Sequence, residues 1–387
     1  MGGGEVPPIK LREVDVNVSN LCNLTCIHCS YASTPDKGEP SLPGGVIHRL
    51  LDEAADLGTR AVHWSGGEPL IRRDLDELVA HGSSLGLGMR VLSNGILLSP
   101  ERLARLWDAG LRKIFVSLDG LEASHDHHRG RPGLYAQTLR GIESSLAAGF
   151  NVRVNAAATT LNVQEMPELL VMLARMGVHI FTVFYLIPVG RGADIGRLMV
   201  PPARWRRMIE ELREAGAAVA PSSMEVAVEK VFWWEDEWSG EGPRGEGRGG
   251  GCLGFLNGCD YVNILSDGSV YPCVCFIDVA PPLGNILDRP LADVLHDPAG
   301  WDFYWSMREL NPTCTACPKV DACQGGSRAA SRVLGRGFFD LDPRCTGDPV
   351  AQGFIPLCFM LRENVSTAAR GGFAWEVVSG GGPGAPA

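Results

Sequence analysis

The sequence predicts an α/β fold: a partial (β/α)6 barrel followed by a small cysteine-rich domain with a β-hairpin. Two observations carry this. From about residue 12 to 200, short apolar runs alternate six times with amphipathic stretches of helical period, the pattern of repeated βα units around a parallel sheet. Beyond residue 250 that alternation stops, and nine of the 12 cysteines fall there. Six units are too few for a closed eight-stranded barrel. The 387 residues suit two domains, and a 45% hydrophobic content can fill their cores.

Taken in order, residues 1–11 read as a disordered start and residues 12–231 as the barrel. The first strand is Val14–Val18, where apolar and polar residues alternate. Further strands are expected at Ala61–Trp64, Gly88–Ser93, Lys113–Leu118, Asn151–Ala157 and His179–Ile187. Helices fall between them at Gly44–Leu57, Arg73–Leu85, Pro100–Ala109, Leu134–Ala148 and Gln164–Met176, and another runs from Pro202 to about Ala215. Residues 232–251 begin aromatic and acidic, then become nearly all Gly, Glu, Arg and Ser, a linker composition. Residues 252–350 form the cysteine-rich domain. In it Gly268 makes a hairpin turn between Tyr261–Leu265 and Ser269–Pro272. Residues 351–387 read as a C-terminal segment whose tail, from Gly371, is flexible.

A net charge of −10 gives no electrostatic support for nucleic-acid binding. No apolar run reaches the length of a membrane span and no signal-peptide core is present, so a cytoplasmic location is expected. In a long chain without an export signal, 12 cysteines point to metal rather than disulfides.

Ligands of such sheets bind at the C-terminal ends of strands, and the informative motifs fall there. After the first strand comes Cys22-Asn23-Leu24-Thr25-Cys26-Ile27-His28-Cys29. Three thiolates at this spacing can hold three irons of a [4Fe–4S] cube and leave the fourth open. Structural zinc normally takes four ligands in two pairs, and polar Asn23, Thr25 and His28 argue against a core strand with buried thiols. After the second strand, Ser65-Gly66-Gly67-Glu68-Pro69 combines close backbone approach with a carboxylate. Ser93-Asn94-Gly95 follows the third strand and Ser117-Leu118-Asp119-Gly120 the fourth. Each alone reads as an ordinary turn. His125-Asp126-His127-His128-Arg129-Gly130 looks like a metal patch, but a structural or substrate-facing loop is the favoured reading.

The CxxxCxxC spacing resembles the radical S-adenosylmethionine (SAM) superfamily, and with the motifs above the resemblance covers about residues 12–350. It implies a three-quarter barrel and a SAM-binding [4Fe–4S] cluster on Cys22, Cys26 and Cys29. The open iron would be chelated by SAM, and an electron would cleave SAM to a 5′-deoxyadenosyl radical that abstracts a substrate hydrogen. By the same resemblance Gly66, Gly67, Glu68 and Pro69 would meet the SAM amino group, while Ser93, Asn94, Ser117 and Asp119 would line the SAM site. Arg153 would hold the SAM carboxylate, an ordinary surface salt bridge being its alternative. His28 would lie against adenine, with Leu186 and the backbone of Val189-Gly190-Arg191-Gly192 nearby.

The later cysteines resemble the SPASM domain, which implies two auxiliary [4Fe–4S] clusters. The first would use Cys252, Cys259, Cys273 and a cysteine four residues after Cys323, where this chain has Ser327. A water, a substrate group, Ser327 or Cys275 could complete it; in an extended strand Cys275 would share a face with Cys273. The second would use Cys314, Cys317, Cys323 and Cys345. A structural zinc domain is the alternative, with Cys314 and Cys317 as half of one site. Cys358 has no implied role beyond a buried thiol.

The resemblance implies an oxidoreductase that completes an oxidative modification with its auxiliary clusters, most often maturation of a ribosomally made (RiPP) peptide or of a protein side chain. The alternative is a small-molecule enzyme acting on a tetrapyrrole side chain or a sugar or cyclitol alcohol. An electron donor such as flavodoxin or ferredoxin is implied. Only 21 residues precede Cys22, so a leader-peptide-binding domain would be a separate partner. No catalytic acid or base stands out.

Overall fold

The computed structural model describes residues 6–36, 38–186, 188–219, 224–230, 255–256, 258–317, 320, 325–333, 337–342, 345, 359–364 and 375–378. Six parallel strands follow one another in chain order: β1 (Ile9–Ser19), β2 (Ala61–Gly66), β3 (Gly88–Ser93), β4 (Lys113–Ser117), β5 (Asn151–Ala158) and β6 (Ile180–Tyr185). Between them run α1 (Gly44–Asp56), α2 (Leu75–Ser84), α3 (Pro100–Asp108), α4 (Glu122–Arg129), α5 (Leu134–Ala147) and α6 (Met166–Met176), and α7 (Pro202–Ala218) follows β6. The alternation of β1 decides its faces. Val14, Val16 and Val18 are fully buried in the core that also holds Ile47, Leu50 and Leu51 of α1. Asp15 and Asn17 therefore point to the opposite face, the barrel interior. Helix ends agree with the signals in the sequence: Ser99 caps α3 by accepting from Arg102 N–H, with Pro100 at the first position.

Three features depart from the sequence reading. Residues 9–11 belong to β1 rather than to a disordered start. They extend the strand because β8 (Cys259–Ile264) lies parallel beside it, with Ile9 opposite Cys259 and Val16 opposite Ile264. On the other side of β6 lies β7 (Glu225–Lys230); β11 (Phe359–Asn364) adds antiparallel to β7, and β12 (Trp375–Val378) antiparallel to β11. The C-terminal segment thus contributes strands, and β12 lies in the part read as flexible from Gly371. The edge of β7 offers unpaired backbone groups, and Phe359-Met360-Leu361 and Trp375-Glu376-Val377-Val378 carry strand-forming residues. Finally, His125 to Arg129 lie on a helix, not a loop.

The described strands form one sheet in the order β10-β9-β8-β1-β2-β3-β4-β5-β6-β7-β11-β12, where β9 is Ser269–Tyr271 and β10 is Gly284–Asn285. The hairpin of β8 and β9 turns at Gly268, whose φ of +85° suits glycine. Among the described residues, four short helices lie in the cysteine-rich part: α8 (Leu291–Leu295), α9 (Pro298–Ser306), α10 (Pro312–Thr315) and α11 (Arg328–Val333). Its core is aromatic. Phe255 and Phe276 meet Tyr304 edge-to-face at 5.5 and 5.4 Å beside fully buried Trp301. This part is tied to α1, where Glu53 Oε2 accepts from Leu291 N–H at 2.6 Å. Residues 232–251, Ile187, Cys252, Cys323 and Cys358 lie outside the described residues. Among the described residues, no helix is long and apolar enough to cross a membrane.

Candidate active site

The loop after β1 brings Cys22, Cys26 and Cys29 together: Cys22 and Cys26 are buried with Leu24 and Leu134, and half-buried Cys29 packs against them. Four neighbouring segments hold it. From the β2 turn, Gly67 N–H donates to Ser19 O at 2.9 Å and Glu68 N–H to Leu21 O at 3.0 Å. From the β3 turn, Asn94 Nδ2 donates to Asn23 Oδ1 at 2.7 Å. From α4, His128 O accepts from Ile27 N–H at 2.9 Å. From the segment after β6, Arg191 donates through Nε to Cys26 O at 3.0 Å and through Nη2 to Ser33 O at 2.7 Å.

The two glycines of the β2 turn face this loop. A Cβ on Gly67 would meet Leu21 O at 2.2 Å, and a Cβ on Gly66, at φ +114°, would meet the Asn17 side chain. Their smallness therefore serves the approach of the β2 turn to the cysteine loop. Glu68 is 2% exposed. Its carboxylate accepts from Leu70 N–H at 3.2 Å and from Asn94 N–H at 2.8 Å, so it ties the β2 turn to the β3 turn. Burial pushes its pKa up to about 7 although the Asn94 N–H opposes this. Pro69 and Leu70 are buried beside it. Ser93 Oγ accepts from Gly95 N–H at 3.0 Å, fixing the same turn.

Asp119 is 1% exposed and fully used. Oδ1 accepts from Ala157 N–H at 3.0 Å, and Oδ2 lies 2.7 Å from Arg129 Nε and 3.4 Å from His28 Nε2. Burial works against its charge, but the Arg129 guanidinium holds the carboxyl well below the usual range. Burial takes the His28 pKa down to about 4, so that ring is neutral at pH 7. His125 Nδ1 accepts from Asp119 N–H, and His128 Nε2 pairs with Thr159 Oγ1 at 2.9 Å. The histidine patch is thus built into α4 as scaffolding beneath Asp119. Ser117 ends β4 opposite Asn155 of β5. Arg153 is buried in the interior, donating to Asn155 Oδ1 at 2.9 Å and lying over the rings of Phe115 and Phe184. Leu186 is buried at the end of β6.

Below the loop the interior is polar. Tyr31 donates to Asn263 Oδ1 at 3.1 Å, and Asn263 Nδ2 donates to Tyr261 at 2.7 Å. Ser65 donates to Asp15, whose pKa burial raises.

The donor set fits an iron–sulfur cluster with a bound SAM. Burial pushes the Cys22 thiol up to about 12 and raises that of Cys26, so these thiols need a metal's charge to ionise. No three Cys, His, Asp or Glu among the described residues converge closely enough for a single metal ion; the corners of a cube lie farther apart. Two buried atoms, Asn17 Oδ1 and His28 Nδ1, have no hydrogen-bond partner among the described residues, as expected where a ligand supplies one.

In the cysteine-rich part, burial raises the Cys314 thiol, with Cys345 and Cys317 close enough to add to it. Three of the four cysteines expected at the second auxiliary site thus lie within electrostatic reach of Cys314; Cys323 lies outside the described residues. Cys259 opens β8 and Cys273 follows β9. Residues Val274–Phe276 form a 3-10 turn, not an extended strand, and Cys275 points into the core at 2% exposure. The shared face expected for Cys273 and Cys275 is absent. Ser327 Oγ accepts from Ala330 N–H at 3.1 Å at the start of α11.

Sequence reasoning missed three residues of this site: Arg129, read only as part of a patch; Arg191, read as backbone near a ligand; and Tyr31. Their signal is three-dimensional, since Arg191 lies 165 residues from the carbonyl it holds.

The pattern of the radical SAM superfamily matches residues 16–175, and that of the SPASM iron–sulfur cluster-binding domain matches residues 252–318. The AdoMet-dependent heme synthase of Methanosarcina barkeri is 30% identical over 337 residues, covering 85% of this chain and 94% of that protein. The mycofactocin maturase MftC of Mycobacterium ulcerans is 30% identical, covering 84% and 85%. The PqqA peptide cyclase of Methylocella silvestris is 27% identical, covering 86% of each. Among solved structures, Streptococcus suis SuiB bound to S-adenosylmethionine aligns with a TM-score of 0.68 at 20% identity, over 87% of this chain and 78% of that one. Native anSMEcpe with bound AdoMet aligns at 0.67 and 16% identity, over 88% and 94%. The fold, the order of both matched patterns and a relative 30% identical along nearly its whole length agree: this chain belongs to the radical SAM superfamily and is an enzyme with a C-terminal SPASM domain.

Proposed function

We propose that the enzyme oxidatively modifies a side chain of a peptide, with the SAM-binding cluster on Cys22, Cys26 and Cys29. The observation that carries the cluster assignment is the clamping of this one loop by the β2 turn, the β3 turn, α4 and Arg191. Such clamping fixes three sulfurs against one another before any metal arrives. Bound there, a [4Fe–4S] cluster and SAM supply a low-potential electron and the radical precursor. The chain's own groups do the rest. Asn17 Oδ1 and His28 Nδ1 offer unused acceptor or donor capacity at the barrel mouth. Gly66, Gly67, Glu68, Pro69, Ser93, Asn94, Ser117, Asp119 and Leu186 form the surrounding wall, and Arg153 carries a buried cation that suits a carboxylate. Burial of the interior excludes water that would quench a radical.

Two auxiliary clusters would take the electron released when product forms, one on Cys252, Cys259 and Cys273, the other on Cys314, Cys317, Cys323 and Cys345. For the first, the Ser327 hydroxyl is engaged in capping a helix, and Cys275 lies on a 3-10 turn rather than on a strand face shared with Cys273. A flavodoxin or ferredoxin is the electron donor this reading implies.

The peptide substrate is supported by likeness to MftC and to PqqA peptide cyclase. A tetrapyrrole side chain is the second reading, favoured by the 30% identity to the heme synthase across 94% of it. Anaerobic reconstitution, with iron and sulfide counted, followed by SAM and reductant, tests both. 5′-Deoxyadenosine should form, and its yield should rise with a cognate precursor peptide rather than with an iron porphyrin. No SAM cleavage by the loaded protein would refute the assignment; stimulation by the porphyrin alone would move it to the second reading.

A further inference from the structure

We infer that Arg129 is a positioning residue that hydrogen-bonds the Cys26 sulfur and sets the reduction potential of the SAM-binding cluster, with Asp119 limiting how much of its charge the cluster feels. This rests on the assignment of that cluster to Cys22, Cys26 and Cys29.

The geometry is specific. Arg129 is the last residue of α4, and the helix stops at Gly130, φ +70°. That turn packs on the cysteine loop: a Cβ on Gly130 would stand 3.3 Å from Thr25 O, while Ile27 N–H donates to His128 O. The docked end aims the guanidinium at the loop. Nε lies 2.7 Å from Asp119 Oδ2, and Nη1 lies 3.7 Å from Cys26 Sγ. The side chain is 11% exposed and Asp119 is 1% exposed, so solvent screens little of this charge. The planar fork lets one guanidinium serve both acceptors at once.

Other charged or titratable groups here do not substitute for it. His28 Nε2 faces Asp119 Oδ2 at 3.4 Å, His125 Nδ1 accepts from Asp119 N–H, and His128 is spent on Ser124 O and Thr159 Oγ1. Reduction adds negative charge to a cluster, part of it on the thiolate sulfurs. A guanidinium at Cys26 therefore stabilises the reduced form more than the oxidised one and raises the potential. Asp119, on the far side of the guanidinium, pulls the other way. The pair sets the potential as a balance, and its two members must act with opposite signs.

Potentiometric EPR on the reconstituted full-length protein tests this, following the signal that responds to added SAM. Arg129→Met should lower the reduced-to-oxidised ratio at a fixed applied potential about tenfold, about 59 mV for a one-electron couple. Asp119→Asn should raise that ratio, because the guanidinium loses its neutralising partner. The auxiliary signals should not move. A merely structural role would lower cluster content in both variants without opposite shifts. Wild-type potentials in both, or shifts of one sign, would overturn the inference while leaving the SAM-responsive cluster in place. A second measurement needs no cluster-bearing variant: wild-type protein labelled with 15N-arginine should show hyperfine coupling between the reduced cluster and a guanidinium nitrogen. Absence of that coupling overturns the inference. Absence of any SAM-responsive signal in the wild type removes the assignment beneath it, and the inference with it.

Discussion

Replacing Gly67 by Ala should damage the cysteine loop before it touches any ligand. The new Cβ would sit 2.2 Å from Leu21 O, 2.5 Å from Leu21 C and 2.9 Å from Asn20 O, all backbone. Real Cβ contacts essentially never fall below 3.0 Å, so the loop must withdraw by about 0.8 Å, the difference between 3.0 and 2.2 Å, directly before Cys22. Two hydrogen bonds cross this gap, Gly67 N–H to Ser19 O and Glu68 N–H to Leu21 O. Straining them and overpacking the contact should cost about 2–4 kcal/mol together. Urea unfolding of the metal-free protein measures that loss, and iron counting after anaerobic reconstitution measures its consequence at the cysteines. A variant with wild-type midpoint and full iron content would refute the claim that Gly67 is small for the sake of Leu21.

Four further outcomes are expected. Replacing Cys22, Cys26 and Cys29 together by Ala should remove about four irons per chain and abolish 5′-deoxyadenosine formation, while auxiliary iron remains countable. Arg191→Ala removes donors to Cys26 O and Ser33 O; it should cost about 1–3 kcal/mol and speed amide exchange across residues 26–33, read by mass spectrometry. Trp301→Ala, at a fully buried ring that donates to Leu295 O at 2.9 Å, should cost about 3–5 kcal/mol and lower the thermal midpoint. Glu13 lies 2.8 Å from Arg90 and 3.3 Å from His63. Burial works against its charge, yet hydrogen bonding and charge from these partners hold its carboxyl well below the usual range. A carboxyl with a lowered folded-state pKa stabilises above its unfolded value and loses that contribution as pH falls toward the folded value. Glu13→Gln should therefore destabilise at pH 7, and its deficit in urea unfolding should shrink as pH falls below about 4.

The six βα units were legible because strand and helix periods differ, and α1, α3 and α5 begin at the expected residues. The position of each motif after its strand was legible for the same reason. What the glycines and carboxylates face was not. Gly67 reads as room for a ligand, and the structure also sets Leu21 against it; Glu68 reads as a ligand group, and the structure also places each of its oxygens on a backbone N–H group. Helix α4 escaped because Glu122–Arg129 is almost wholly polar and its two buried histidines resemble metal ligands in a string of letters. The pairing of β8 with β1 joins residues some 250 apart, and no local pattern encodes so distant a contact.

That pairing makes β1 a ruler. Cys259 stands opposite Ile9, and the cysteine loop begins beyond Ser19 at the other end of the same strand. Ten residues at about 3.3 Å each make that interval roughly 33 Å or less along the chain. Ladder hydrogen bonds hold the interval, so neither domain can drift against the other without breaking the sheet. Under the cluster assignment proposed above, the separation of the two sets of cysteines is a matter of strand register rather than of docking. That separation should then be indifferent to ionic strength and viscosity, and sensitive to a single residue inserted into β1.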